Sequence, residues 1–76
     1  MSEDAAESLA ALWRLSRDEA ASLEERIRHL EIAVARAMAG KTPSAGGAAA
    51  LLAEQKIALE ETRLRTARVL DLLEGR

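Results

Sequence analysis

The stretch Met38-Ala39-Gly40-Lys41-Thr42-Pro43-Ser44 decides the fold, because an apolar repeat ends at its start and resumes beyond it. On its N-terminal side the repeat runs Leu9, Trp13, Ser16, Ala20, Leu23, Ile27, Leu30, Val34, Ala37. Alternating steps of four and three place all of these on one stripe of a single α-helix. On its C-terminal side a second stripe reads Leu52, Gln55, Leu59, Thr62, Thr66, Val69, Leu73. Glycine ends helices in the left-handed conformation at little cost, so Gly40 is expected to take that conformation. Pro43 then forbids continuation and biases Thr42 away from helical geometry. The expected fold is all-α: an antiparallel two-helix hairpin forming a single unit over residues 1–76.

The expected boundaries are a helix over about 5–39, a turn over 40–47 and a helix over about 48–74. Three segments resemble helix starts: Asp4-Ala5-Ala6-Glu7, Ser16-Arg17-Asp18-Glu19 and Ser22-Leu23-Glu24-Glu25. They allow a short N-terminal helix carrying Leu9, Leu12 and Trp13 that bends near Ser16. The register crosses Ser16 without a phase change, which favours one continuous helix. Thr42 or Ser44 can cap the second helix, and Gly46-Gly47 weaken its first turn, which moves its expected start to Ala48. Gly75 is expected to end it.

Composition narrows the function. A chain of 76 residues buries a small core, and there is no cysteine to staple it. His29 is the only histidine and Trp13 the only aromatic residue, so no zinc cluster is expected. Eleven basic against thirteen acidic residues give no general affinity for nucleic acid or anionic membrane. The acidic start Met1-Ser2-Glu3-Asp4 lacks the basic segment and apolar core of a secretory signal. No apolar run approaches the ~20 residues that span a bilayer. A soluble cytoplasmic protein without a membrane span is expected.

Catalytic constellations are not apparent. Glu24-Glu25 and Glu60-Glu61 are adjacent pairs, whose side chains diverge by about 100° on a helix. Glu24 with Arg28, and Glu61 with Arg65, have the spacing of surface ion pairs along one helix. His29 is read as solvated, and Gly46-Gly47 lack the continuation of a phosphate loop. Arg63, Arg65 and Arg68 are interrupted by acids and read as a solvated face. Neither an enzyme nor a cofactor or metal site is expected.

The apolar residues do suggest partners. Leu9, Leu12, Leu23, Ile27, Leu30, Val34 and Met38 cluster on one arc of the first helix. Leu51, Leu52, Ala58, Leu59, Val69, Leu70, Leu72 and Leu73 do so on the second. The centre of that second arc holds Gln55, Thr62 and Thr66, an unusual filling for a helix seam. Ile57 and Leu64, flanked by Ala53 and Ala67, stand roughly opposite. Large apolar residues on two faces imply more than one neighbour. Ile57 and Leu64 are the candidate partner-binding residues, together with Trp13, which reads equally as a core plug or an interface anchor. Self-association into a four-helix bundle is the alternative, with Gln55, Thr62 and Thr66 setting register by hydrogen bonding. The isolated chain is expected to form a homo-oligomer.

The turn Gly40-Lys41-Thr42-Pro43, followed by Gln55-Lys56-Ile57-Ala58-Leu59-Glu60, resembles the YscE/PscE/YseE-like co-chaperones of type III secretion over about residues 23–73. That resemblance implies a non-catalytic cytoplasmic hairpin packed against a larger helical-repeat chaperone. The chaperone in turn keeps the aggregation-prone needle subunit monomeric until export. The Trp13 segment and the Arg-rich part of the second helix have no counterpart in the resemblance.

Overall fold

Two long helices account for nearly all of the computed structural model, which describes residues 2–75. Helix α1 spans Glu3–Ala39 and helix α2 spans Ala45–Glu74. They pack along their lengths as an antiparallel hairpin about 57 Å long and 13–15 Å across. The expected all-α hairpin is therefore present, and no strand occurs among the described residues.

Helix α1 starts two residues before the expected position. The Ala5 N–H donates to Ser2 Oγ at 3.2 Å, and Glu3 and Asp4 fill the first turn. A hydroxyl cap and two acids at the positive end of the helix dipole favour this start over Asp4. The helix passes through Ser16 without interruption, and Ser16 lies buried in the seam, so there is no separate N-terminal helix.

The turn differs from expectation in a specific way. Gly40 is right-handed at φ −81°, and the left-handed residue is Lys41 at φ 53°. The Lys41 N–H donates to the Met38 carbonyl at 3.1 Å and the Thr42 N–H to the Ala37 carbonyl at 3.0 Å. This pair of bonds is a Schellman closure displaced one residue past the glycine. The Thr42 hydroxyl adds a second donor to the Ala37 carbonyl at 3.3 Å.

Helix α2 also begins earlier than expected, so the turn is 40–44 and Gly46-Gly47 lie inside the helix. Ser44 supplies the cap position without a side-chain cap bond, and the Ala48 N–H donates to its carbonyl at 3.0 Å. Ala45 and Ala48 continue the buried stripe of α2 toward the turn and are partly covered. Their packing offsets a glycine penalty of about 1 kcal/mol per residue. At the far end Gly75 is left-handed at φ 75° and caps α2.

Every member of the two sequence stripes is buried or half-buried. Leu23, Ile27 and Leu59 form the apolar centre, with Ala20, Leu52 and Ala58 packed around it. Toward the open end the seam narrows to hydroxyls: Ser16 is 3% and Thr62 2% exposed. Leu12, Met38, Leu51, Leu70 and Leu72, which the arcs assigned to the same face, are exposed. Each is one residue off the repeat. A step of about 100° carries it from the seam to an edge.

The two edges carry ion pairs across the hairpin. Arg63 reaches Glu24 at 2.9 Å on one edge, and Arg65 reaches Glu19 at 3.5 Å on the other. The expected pairings of Glu24 with Arg28 and of Glu61 with Arg65 do not form. In an antiparallel pair the residues beside the seam face each other across it, and that geometry brings Arg63 and Arg65 to α1.

Candidate protein-binding surface

The outer faces of the two helices are unlike each other. On α1, exposed Glu7, Arg14, Asp18, Glu25 and Arg28 occupy the side away from the seam, with Leu15 and Ile32, 17 residues apart, the large apolar exceptions. That is the ordinary polar face of an amphipathic helix. On α2, the corresponding side carries Ala50, Ala53, Ile57, Glu60, Leu64 and Ala67, all exposed. These residues repeat at steps of three and four, like the seam itself. Ile57 is 61% and Leu64 51% exposed. Ile57 sits two residues from both Gln55 and Leu59, about 200° round the helix from each. Helix α2 thus has two helix-matching stripes, one covered by α1 and one open.

Glu60 is the only charged residue in that open stripe between Ala50 and Ala67. It stands between Ile57 and Leu64, three residues from one and four from the other. No ion pair among the described residues engages it.

Trp13 lies elsewhere. It occupies the buried stripe of α1 toward the open end and is half-buried. The Arg17 guanidinium sits over its ring, 4.8 Å from the centroid, and Arg17 Nε is 3.9 Å from Asp18. The structure does not join Trp13 to Ile57 and Leu64 in one surface: the indole belongs to the seam, the aliphatic pair to the opposite side of α2.

Within the single hairpin the polar seam residues make local bonds or none. The Thr66 hydroxyl donates to the Thr62 carbonyl of its own helix at 2.8 Å. Gln55 Oε1 is buried with no hydrogen-bond partner. It borders a shallow groove of about 370 Å³ shared with Arg26, His29, Leu30 and Leu51. A second groove of about 310 Å³ lies on the opposite edge, beside Arg17, Glu24, Arg63 and Thr66. Among the described residues no three His, Asp or Glu side chains are grouped to hold a metal ion. No described helix is long and apolar enough to cross a membrane.

Sequence reasoning missed Glu60 and the cross-hairpin pairs of Glu19 and Glu24. The heptad repeat held the signal for both. Continued round α2, it gives the outer stripe with its single charge. Applied to both antiparallel helices, it sets Glu24 beside Arg63 and Glu19 beside Arg65.

No protein-family model, curated protein or solved structure matches the chain.

Proposed function

We propose that this protein is a non-catalytic helical-hairpin adaptor, completed by another protein seated on the outer face of α2. The observation that carries this reading is the open stripe of Ile57 and Leu64 on a helix whose opposite side is already covered. A chain this small gains stability from any partner that binds only its folded form. The turn and the Gln55–Glu60 segment, which resemble the needle co-chaperones of type III secretion, support a more specific version. In it the partner is a cytoplasmic helical-repeat chaperone, and the needle subunit is held indirectly.

The test is affinity capture from the cells of origin, using the tagged chain and its Ile57→Asp/Leu64→Asp variant side by side. Recovery of a helical-repeat protein in equal amount with the wild-type chain, and its loss with the variant, is the expected result. A helical-repeat protein recovered equally by both would overturn the assignment of the surface. Recovery of this chain alone would overturn the adaptor.

Self-association is a second reading, and it draws on a different surface. Leu12 and Leu72 are exposed, and each lies seven residues beyond the Glu19–Arg65 pair, toward the open end. Both therefore stand on that same edge at one level, where a second hairpin can pack. Sedimentation of the wild-type chain against Leu12→Asp/Leu72→Asp tests it: an oligomer lost in the variant supports this reading, and a monomeric wild type removes it.

A further inference from the structure

The edge of the hairpin marked by Glu19 and Arg65 is built from two heptad rows. On α1 the row is Leu12, Glu19, Arg26, Ala33, and on α2 it is Leu51, Ala58, Arg65, Leu72. Every member immediately precedes a seam residue, and from two antiparallel helices that step of about 100° points to the same edge. Counted from the Glu19–Arg65 contact, the rows face each other level by level: Leu12 and Leu72, Glu19 and Arg65, Arg26 and Ala58, Ala33 and Leu51. Leu12, Leu51 and Leu72 are exposed, so the edge is apolar at both ends and charged between them. The groove shared by Arg26, His29, Leu30, Leu51 and Gln55 opens on it as well. Glu54, Glu61 and Arg68 flank the α2 row, so that Arg26, Arg65 and Arg68 balance Glu19, Glu54 and Glu61.

We propose that a second copy of this chain packs on this edge about a two-fold axis parallel to the helices. This rests on the self-association reading and adds its geometry. The product is a four-helix bundle in which α1 of each copy lies against α2 of the other, at the register the hairpin already uses. Charge complementarity carries the assignment. The axis repeats every facing pair between the copies: Leu12 meets Leu72 of the other copy, Glu19 meets its Arg65, and Arg26 stands between its Glu54 and Glu61. At the Glu19 level two acids and two arginines alternate in sign round a ring. Leu51 of each copy covers Ala33 of the other and closes the groove. A two-fold perpendicular to the helices also matches the leucine ends, but it lays α2 on α2 and sets Glu61 beside Glu61 of the other copy, a like-charge contact. The parallel axis makes no such contact between the rows. It also leaves Ile57 and Leu64 on the outer side of α2, open to an adaptor's partner.

The test uses the full-length chain and two single variants, Glu19→Arg and Arg65→Glu. Sedimentation at micromolar concentration should show a wild-type dimer. Each variant gives the ring a single sign and should weaken its own association at least about tenfold. Each should keep its helical circular dichroism, because the pair is half-exposed and contributes little within one hairpin. Mixing the two variants should then restore a dimer containing one chain of each kind. Across the copies the substituted residues meet opposite charges, whereas within each hairpin the like charges remain, so the rescue cannot come from mending either hairpin alone. Leu12→Cys and Leu72→Cys chains, mixed, should form a disulfide between copies, and the natural chain has no cysteine to compete. Leu51→Cys with Leu72→Cys should not. A dimer that ignores the single charge substitutions, a mixture that fails to associate, or a Leu51→Cys to Leu72→Cys disulfide each overturns the proposed arrangement. If one of these occurs while Leu12→Asp/Leu72→Asp still dissociates the wild-type dimer, self-association stands and only the arrangement falls. A monomeric wild type removes both.

Discussion

Arg63 on α2 donates to the Glu24 carboxylate on α1 at 2.9 Å, joining residues 39 positions apart. Arg65 and Glu19 make the equivalent contact on the other edge, so the two pairs flank the hydroxyl-lined part of the seam. Both are half-exposed, and such pairs contribute about 0.2–1 kcal/mol each. Their role is mainly register. A slip of one helix past the other would set each arginine beside the wrong neighbour.

A double-mutant cycle on Glu24 and Arg63 should therefore return a coupling no larger than about 1 kcal/mol, shrinking at high salt. Glu24→Arg alone places two cations together and should lower the urea midpoint. Adding Arg63→Glu should restore most of the loss. A charge-swapped protein no more stable than the single variant would mean that the pair is not formed in solution.

Gln55 should be a site where an apolar substitution stabilises. Its Oε1 is buried without a donor, an arrangement that costs about 1–3 kcal/mol. Gln55→Leu removes that oxygen and extends the apolar centre around Ile27 and Leu52. A rise in the thermal midpoint is the expected outcome. A fall would show that Oε1 finds a donor in solution.

The turn offers a second stabilising set. Lys41 holds a left-handed conformation that costs an L-residue about 1–2 kcal/mol, and glycine relieves this. Lys41→Gly should therefore raise stability despite the entropy glycine adds to the unfolded chain. Gly46→Ala and Gly47→Ala meet open space where a Cβ would be added, and each should gain about 1 kcal/mol or less within α2. Chemical denaturation of the single and combined variants checks both effects. A loss at Gly46 or Gly47 would mean that the first turn of α2 is not helical in solution.

The stripe was legible because period alone identifies it: each residue from Leu9 to Ala37 at steps of three and four is covered, as is each from Leu52 to Leu73. Residue type misled where it was allowed to override period. Met38 and Leu51 were grouped with the core for their hydrophobicity, yet each stands beside a smaller or equal residue that holds the seam position. The turn misled for a related reason. Glycine is the usual left-handed cap, but the backbone of α1 ran one residue further and left Lys41 in that position. Start signals failed most, since Ser2 competes with three other polar residues and only local hydrogen bonding selects it. For the candidate surface, the exposure of Ile57 and Leu64 followed from the repeat, whereas no property of Trp13 alone separated seam from surface.

Ile57 and Leu64 allow the outer face to be separated from the core by substitution. Both side chains are more than half exposed, so Ile57→Asp/Leu64→Asp removes no large packing contact between the helices. The double variant should keep nearly all of the helical circular dichroism signal and a cooperative melt. Losing two apolar side chains from a contact and burying two carboxylates there should still weaken partner binding by several kcal/mol, about a thousandfold or more. Leu59→Asp is the control. Leu59 is 8% exposed and lies in the centre with Leu23 and Ile27, so a carboxylate there should unfold the hairpin. Ile57 is only two residues from Leu59 along the helix, yet about 200° from it in direction, and Leu64 is about 140° from it. If the double variant loses helicity as badly as the control, Ile57 and Leu64 are covered in solution within the folded chain or by a second copy. The open face of α2, and the adaptor reading built on it, would then have to be abandoned.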